Sequence, residues 1–207
     1  RGNDEVPDCE RRGPRIINEN TAPAKSMTYG ITGNTSKENF WQPAAQLVSW
    51  LVKQDISFCL HAGVPQGLAD RQLVDRALCA ERTGHDLAGN VDVILSFGGD
   101  GTLLNSAHEV GDRGTPILGI NIGRLGFLAD IEVAYVQQAL EHLEQGDYRI
   151  EPRMVLEARL EDGIELVKPW ALNEFVIERS GQAKLMSITV TVDGTHLNEY
   201  WADGLIL

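Results

Sequence analysis

The sequence is poor in cysteine, in basic residues and in long apolar runs, and each shortage excludes a class of protein. Its three cysteines, Cys9, Cys59 and Cys79, form no Cys-x-x-Cys pair, which argues against a disulfide framework and a zinc site. Eighteen Lys and Arg against 30 Asp and Glu give a formal net charge of -12, which disfavours nucleic acid and anionic membranes. No apolar stretch reaches the roughly 20 residues of a bilayer span. We therefore predict a cytoplasmic protein with reduced thiols and no nucleic-acid or membrane partner.

The hydrophobic pattern divides the 207 residues into three parts. Residues 1–25 are polar and aperiodic, which predicts a disordered leader. Residues 26–148 alternate strand-like runs with helical spacing, which predicts an α/β domain with a Rossmann-like, mostly parallel sheet. Residues 149–207 carry short strands joined by turns, which predicts the beginning of a β-rich, sandwich-type domain with antiparallel strands.

Individual elements follow from the same patterns. The Asp193-Gly194-Thr195 stretch lies between two strand-like runs and predicts a hairpin turn. In the first region the predicted strands cover 27–32, 56–60, 91–97 and 117–120, and the predicted helices cover 44–52, 70–82, 102–110 and 133 to about 146.

The glycine-rich string GGDGT, at 98–102, follows the apolar run VDVILSF. Gly98 and Gly99 leave backbone N–H groups open to an anion, and a helix that starts at Thr102, with Thr102 as its cap, adds its positive end. Asp100 repels phosphate unless a divalent metal or a substrate hydroxyl intervenes, and both situations occur in phosphoryl transfer. The alternative is a structural turn in which Asp100 caps the helix.

Four motifs in this order resemble those of the NAD kinases of the ATP-dependent, bacterial type: GGDGT at 98–102, GINIGRLGFLAD at 119–130, LNEFVIER at 172–179 and ADGLI at 202–206. The resemblance covers roughly residues 27–207. It implies that ATP, or another nucleoside triphosphate or polyphosphate, phosphorylates the 2′-hydroxyl of the adenosine ribose of NAD to give NADP. It also implies a divalent metal ion, Mg²⁺, and a homo-oligomeric assembly.

The resemblance further implies roles for single residues. Asp100 accepts the proton of the ribose hydroxyl, Gly101 lies against the dinucleotide, Asn173 and Glu174 bind it, and Asp203 lies near its nicotinamide end. The remaining expected ligand contacts are Gly98, Gly99, Thr102, Asn105, Phe127 as an apolar wall for adenine, and Lys184 as a basic contact. Each of these residues taken singly also has a structural interpretation. Asn173 and Glu174 fit a solvated strand edge, and Asp203 fits the start of a turn. Lys184 fits a surface cation, and Phe127 fits a core residue.

The sequence departs from the family pattern at two places. Trp201 stands where many members have arginine, and the chain stops before the family's Gly/Ser/Thr-rich segment, so we expect an incomplete dinucleotide site. Two other functions stay open: a lipid or sugar kinase that shares GGDGT, and a non-catalytic nucleotide sensor. An oxidoreductase of the G-x-G-x-x-G type is disfavoured because Gly30 and Gly33 have the wrong spacing.

Overall fold

A computed structural model describes residues 27–123, 126, 128–129, 131–161, 163–180 and 185–207. The leader predicted over residues 1–25 lies outside the described residues. The predicted ligand contacts Phe127 and Lys184 lie outside them as well.

A parallel sheet forms the centre of the first region. Its strands within the described residues are β1 (Thr28–Gly33), β2 (Ser57–His61), β3 (Thr83–Gly84), β4 (Val93–Gly98), β5 (Ile117–Asn121) and β6 (Ile131–Glu132). Their spatial order is β3-β2-β1-β4-β5-β6, and every pairing is parallel. The strand order reverses between β1 and β4, and ligands of such sheets bind at the carboxyl ends of the strands beside this point.

Helices cover both faces of this sheet. They are α1 (Trp41–Lys53), α2 (Val64–Asp70), α3 (Arg76–Glu81), α4 (Asp100–Val110) and α5 (Val136–Glu144), with short 3-10 turns at Glu38–Phe40, Gly111–Arg113 and Val133–Tyr135. Among the described residues no helix has the length and apolar character that crossing a membrane requires.

The alternation of side chains along β4 explains why this strand is buried on both faces. Leu95 and Phe97 belong to the main core with α1 and α5, whereas Ile94 packs with Leu87 and Val110 on the opposite face, where α4 lies. All six residues of β4 are buried. A strand covered on both faces needs the nearly continuous apolar run that predicted it.

The single helix predicted over residues 70–82 is wrong in its extent, because α2 ends at Asp70 and the shorter α3, Arg76–Glu81, is the helix that follows within this range. Gln72 has a φ of 56°, in the left-handed region, and interrupts the helix after α2. Asp75 then caps α3, since its carboxylate accepts the backbone N–H groups of Ala77 and Leu78.

The helix α2 escaped prediction because it contains a glycine that normally disfavours helices. A β carbon on Gly67 would lie 2.0 Å from the indole of Trp41. The glycine therefore lets α2 pack closely against α1, and this contact offsets its poor helix propensity.

The second region consists of antiparallel strand pairs. Its strands are β7 (Leu156–Glu157), β8 (Trp170–Ala171), β9 (Val176–Glu178), β10 (Met186–Val192), β11 (Thr195–Ala202) and β12 (Gly204–Ile206). They pair as β7 with β8, β9 with β12 and β10 with β11. The predicted class, a parallel-sheet α/β region followed by antiparallel β structure, is confirmed. The domain boundary near Arg149 stays a prediction.

The predicted hairpin turn at Asp193 is confirmed. Asp193 and Gly194 have φ values of 50° and 75°, as the mirror-image turns that join two antiparallel strands require. The same Asp-Gly-Thr letters therefore form a plain turn here and a strand-to-helix junction in GGDGT.

Candidate functional site

The chain turns directly from β4 into α4 at the glycine pair. Gly99 occupies the N-cap position with extended backbone and no side-chain cap, so the predicted capping role of Thr102 is wrong. Thr102 instead packs over Gly98, where a β carbon would lie 2.1 Å from its Oγ1 and 2.3 Å from its Cβ. Gly98 is thus required by the packing of the turn, because any side chain would displace the first turn of α4.

Gly99 and Gly101 serve a different purpose. A β carbon on either residue would meet nothing within 4 Å. The backbone of the first turn of α4 is therefore open to a ligand at both positions. The start of this 11-residue helix carries partial positive charge, which favours an anion such as phosphate.

Asp100 is the first residue of α4, and its carboxylate is held by a distant loop. Asp100 Oδ1 accepts the backbone N–H of Leu128 at 3.0 Å. A β carbon on Gly126 would lie 2.2 Å from the same oxygen, so only glycine lets the loop approach so closely. This geometry disagrees with the alternative in which Asp100 merely caps the helix, because Gly99 holds the cap position.

A cavity of about 670 Å³ lies beside the glycine turn, between the carboxyl ends of β1 and β2 and one side of α4. It brings together four residues that the sequence singled out, Gly99, Gly101, Thr102 and Asn105. The side chain of Asp100 points away from this cavity, toward the loop that carries Leu128. Asp100 therefore borders the turn on the opposite side from the cavity.

A second cavity, of about 490 Å³, lies between α4, β5 and the segment around residues 148–172. Leu172 lines it together with Leu103 of α4 and Leu128. Leu128 is the residue whose N–H binds Asp100, so the second region reaches the neighbourhood of the carboxylate. Asn173 and Glu174 follow Leu172 directly and are exposed.

An aromatic contact joins the two regions at the same place. The rings of His108 on α4 and Trp170 on β8 lie 4.3 Å apart between centroids. Burial, with a smaller contribution from the charge of Lys168, lowers the pKa of His108 below its ordinary value. The contact therefore favours the neutral imidazole.

Asp203 lies at the far end of a narrow β ribbon from Glu174. Its backbone carbonyl accepts the N–H of Arg179, next to the end of β9, whereas Phe175 pairs with Leu207 at the other end. The five residue-to-residue steps from Glu174 to Arg179 span about 16 Å in an extended strand. The ribbon thus separates the two carboxylates instead of bringing them together.

Sequence reasoning missed several residues that line the first cavity, among them Thr32, His61 and Glu109. Thr32 and His61 stand at the carboxyl ends of β1 and β2, and Glu109 lies on α4. Polar residues that end predicted parallel strands are the signal that could have found the first two, because such ends meet at one edge of the sheet.

Comparison with known proteins identifies the family to which the chain belongs. The family model of the ATP-NAD kinase N-terminal domain matches residues 29–148, which is more than half of the chain. The chain belongs to the NAD kinase family. The membership that the four motifs predicted is thereby confirmed.

Curated NAD kinases are similar in sequence to this chain over most of its length. The NAD kinase of Heliobacterium modesticaldum is 35% identical over 181 residues, which cover 87% of this chain and 61% of that protein. The NAD kinase of Bacteroides fragilis is 36% identical over 182 residues, which cover 87% and 62%. The chain thus spans about three fifths of the length of these relatives.

Two solved structures of NAD kinase and NADH kinase share the fold. The yeast NADH kinase complexed with NADH superposes with a TM-score of 0.73 and 19% identity, covering 87% of this chain and 56% of that one. The NAD kinase of Archaeoglobus fulgidus in complex with ATP gives a TM-score of 0.56 and 20% identity, covering 87% and 59%. At these identities the likeness concerns the fold alone.

Proposed function

We propose that the protein transfers the γ-phosphate of ATP to the 2′-hydroxyl of the adenosine ribose of NAD and yields NADP. The observation that carries this proposal is the Asp100 carboxylate, which the Leu128 amide holds at the start of a helix whose first turn is open to ligand. Membership of the NAD kinase family supports the assignment. The relatives of the same fold that were solved with NADH and with ATP support both substrates.

In this proposal Asp100 acts as the proton acceptor. The ribose 2′-hydroxyl donates a hydrogen bond to the carboxylate, and its oxygen attacks the γ-phosphorus of ATP. As the new O–P bond forms, the bond from the γ-phosphorus to the β,γ-bridging oxygen breaks and ADP leaves with that electron pair. The hydroxyl proton passes to Asp100, which later releases it to water.

The open glycines explain how the donor phosphates come close to a carboxylate. The backbone N–H groups at Gly99 and Gly101 and the positive end of α4 favour the phosphates, and Asp100 faces the other side of the turn. The phosphates and the acceptor hydroxyl then approach the turn from opposite sides. Charge is balanced by main-chain dipoles, without a lysine in the turn.

The proposed Mg²⁺ fits this site as an ion carried on the triphosphate. In the described part of the chain no group of three His, Cys, Asp or Glu side chains is placed to hold a metal. Mg²⁺ commonly needs only one or two protein carboxylates beside substrate phosphates and water. When bound, it supplies charge neutralisation on the transferred phosphoryl group.

For NAD we propose the exposed residues of the second region. Asn173 and Glu174 follow Leu172, which approaches Leu128 and hence Asp100, and so suit the adenosine end of the dinucleotide. Asp203, about 16 Å further along the ribbon, suits the nicotinamide end, because NAD binds in an extended form of comparable length. Phe127 and Lys184 stay predicted contacts. A cytoplasmic location and a homo-oligomeric assembly stay predictions as well.

The proton-acceptor role is tested by Asp100→Asn. We expect NADP formation to fall at least a hundredfold, as for loss of a general base, with unfolding temperature and NAD binding nearly unchanged. The control is Asp112→Asn, which removes an exposed carboxylate two residues after the end of α4. Equal rates for the Asp100 variant and the control would remove Asp100 from this role.

The dinucleotide assignment is tested by Glu174→Ala, with Glu178→Ala as the matched change on the same exposed ribbon. We expect only the Glu174 variant to weaken NAD binding in calorimetry. A loss of ATP affinity with intact NAD affinity would show that the assignment to Glu174 is wrong.

The identity of the molecule that accepts the phosphate distinguishes the proposed NAD kinase function from the alternative functions. Rates of phosphorylation with NAD, NADH, a sugar and a lipid distinguish an NAD kinase from a lipid or sugar kinase that shares GGDGT. NAD binding that raises the unfolding temperature without any phosphoryl transfer would favour the nucleotide sensor.

A further inference from the structure

The loop that follows β5 holds Asp100, and the start of this loop is bound to a distant part of the chain. The Asn39 side chain donates a hydrogen bond from Nδ2 to the backbone carbonyl of Ile122, at 2.6 Å. Asn39 lies in the 3-10 turn Glu38–Phe40, 83 residues earlier in the sequence. The proton transfer uses no atom of Asn39, although its partner Ile122 begins the loop that reaches Asp100.

The backbone that carries Asn39 is rigid, because its neighbour Phe40 is completely buried. Phe40 is 0% exposed, and its ring lies 6.1 Å from that of Phe97 between centroids. A β carbon on Gly33 would lie 2.5 Å from the Phe40 ring, so glycine at this position lets the ring cover the end of β1. Phe97 directly precedes Gly98. Asn39 is therefore fixed relative to the strand that leads into the glycine turn.

The loop after β5 is also anchored at both of its ends by its own residues. At its start the side-chain oxygen Oδ1 of Asn121 accepts the N–H of Gly123 at 2.8 Å. At its end Ala129 is 1% exposed, and a β carbon on Gly119 of β5 would lie 2.9 Å from its Cα. The loop residues that contact Asp100 lie between these anchors. A shift at either end of the loop therefore moves the atoms that hold the carboxylate.

We infer that Asn39 is a positioning residue for phosphoryl transfer and that it sets the loop that holds Asp100. Asn39 fixes Ile122, and the same loop presents the Leu128 N–H to Asp100 Oδ1 at 3.0 Å. Misplacing a reacting group by about 1 Å can slow a reaction about a hundredfold, whereas the loss of one exposed hydrogen bond changes stability only modestly. The inference rests on the proposed kinase function, because that function makes Asp100 the proton acceptor.

The role of the side-chain amide is tested by Asn39→Ala, which removes it, and by Asn39→Gln, which keeps an amide N–H donor. We expect Asn39→Ala to lower kcat about tenfold at nearly constant KM for NAD and for ATP, since the loop acts on the reacting carboxylate. Asn39→Gln should restore most of kcat. Unchanged kcat in Asn39→Ala would overturn the inference.

The matched control is Glu38→Ala in the same 3-10 turn. Glu38 pairs with Arg71 at 2.9 Å, so this variant removes one exposed side-chain contact that the turn makes with the end of α2. We expect both variants to lower the Tm by a similar small amount, and only the Asn39 variant to lower kcat. Equal losses of kcat in the two variants would show a general effect of the turn and contradict the positioning role.

Combination with Asp100→Asn separates positioning from a general loss of structure. If Asn39 acts through the carboxylate, its removal should cost little in a variant that already lacks this carboxylate, since residues that act as a unit are not additive. We expect Asn39→Ala to lower the residual rate of Asp100→Asn by less than about twofold. A tenfold loss in both backgrounds would refute an action through Asp100.

Hydrogen exchange at the Leu128 amide reports on the loop without any reaction. We expect Asn39→Ala to speed this exchange about fivefold, because the N–H is bound to Asp100 for less of the time, and Glu38→Ala to leave it unchanged. Faster exchange, with no NADP formed even by the wild type, would support the loop contact while the proposed function fails. NADP formation that depends on Asp100 but not on Asn39, with unchanged exchange, would sink the inference and leave the function standing.

Discussion

The parallel-sheet region and the β-rich region of this chain differ in how completely they bury their apolar side chains. Every residue of β4 is buried, whereas seven of the eight residues of β11 are exposed. Val167 and Trp201 in the second region are 98% and 71% exposed. Apolar burial is the main source of folding free energy, so the first region holds most of the stability of the described chain. The following substitutions test this difference.

The largest effect is expected in the centre of the sheet. Leu95→Ala removes a side chain that is 0% exposed from β4 and should cost about 2–5 kcal/mol of unfolding free energy. The matched change in the second region, Leu197→Ala, removes a side chain that is 61% exposed and should stay within about 0.5 kcal/mol. Chemical denaturation measures both. Equal losses would mean that the second region contributes far more stability than its exposure indicates.

Substitutions of the glycines in the turn should give the next largest changes in stability, and the sign of the change should differ between Gly98 and Gly101. Gly98→Ala forces a β carbon onto Thr102 and should cost about 1–3 kcal/mol. Gly101→Ala meets open space inside α4 and should stabilise the protein by about 0.5–1 kcal/mol, because alanine favours helices. Thermal unfolding measures the stability and calorimetry the ATP binding. A Gly101 variant that is stable and still binds ATP as before would contradict the proposal that ligand lies against this turn.

A smaller effect is expected for a buried hydroxyl. The Tyr29 hydroxyl donates to Glu144 Oε1 at 2.6 Å, and burial together with this carboxylate raises its pKa. Tyr29→Phe should cost about 1 kcal/mol. Tyr200→Phe, on β11, should change little, since the described residues give that hydroxyl no hydrogen-bond partner and its side chain is exposed. A larger loss from the Tyr200 change would reverse the comparison.

The smallest effect concerns the contact that joins the two regions. Burial lowers the pKa of His108, so the folded state favours the neutral ring against Trp170. This contribution is complete above the ordinary histidine pKa of about 6.5 and is lost as the pH falls through that value toward the lower folded pKa. His108→Phe keeps the ring contact and cannot be protonated. Its stability should therefore fall less than that of the wild type between pH 7.5 and 5.5, measured by denaturation at both values.

Local patterns predicted those elements whose neighbours in sequence decide their form. The apolar run that ends at Phe97 predicted a strand buried on both faces, and β4 has that burial. Asp193 and Gly194 predicted a hairpin turn through their tolerance of positive φ. The helix over residues 70–82 failed, because the left-handed Gln72 and the capping Asp75 interrupt a pattern that looks continuous.

The glycine turn shows which features of the candidate site the sequence could predict and which it could not. GGDGT indicated an anion site at the start of a helix, but it did not distinguish Gly98, which Thr102 requires, from Gly99 and Gly101, which stay open. That difference depends on which atoms lie above each α carbon. Spacing along the chain does not contain this information.

By itself the sequence determined the family, the alternation of strands and helices, and the place of Asp100 at the start of α4 or close to it, because each follows from residues that are neighbours in the chain. The tertiary structure decided what surrounds that carboxylate. The Leu128 amide that holds Asp100 lies 28 residues away, and Thr32, His61 and Glu109 come from three separate elements. Such contacts depend on the order in which the strands pair, and that order is set by the packing of the whole sheet.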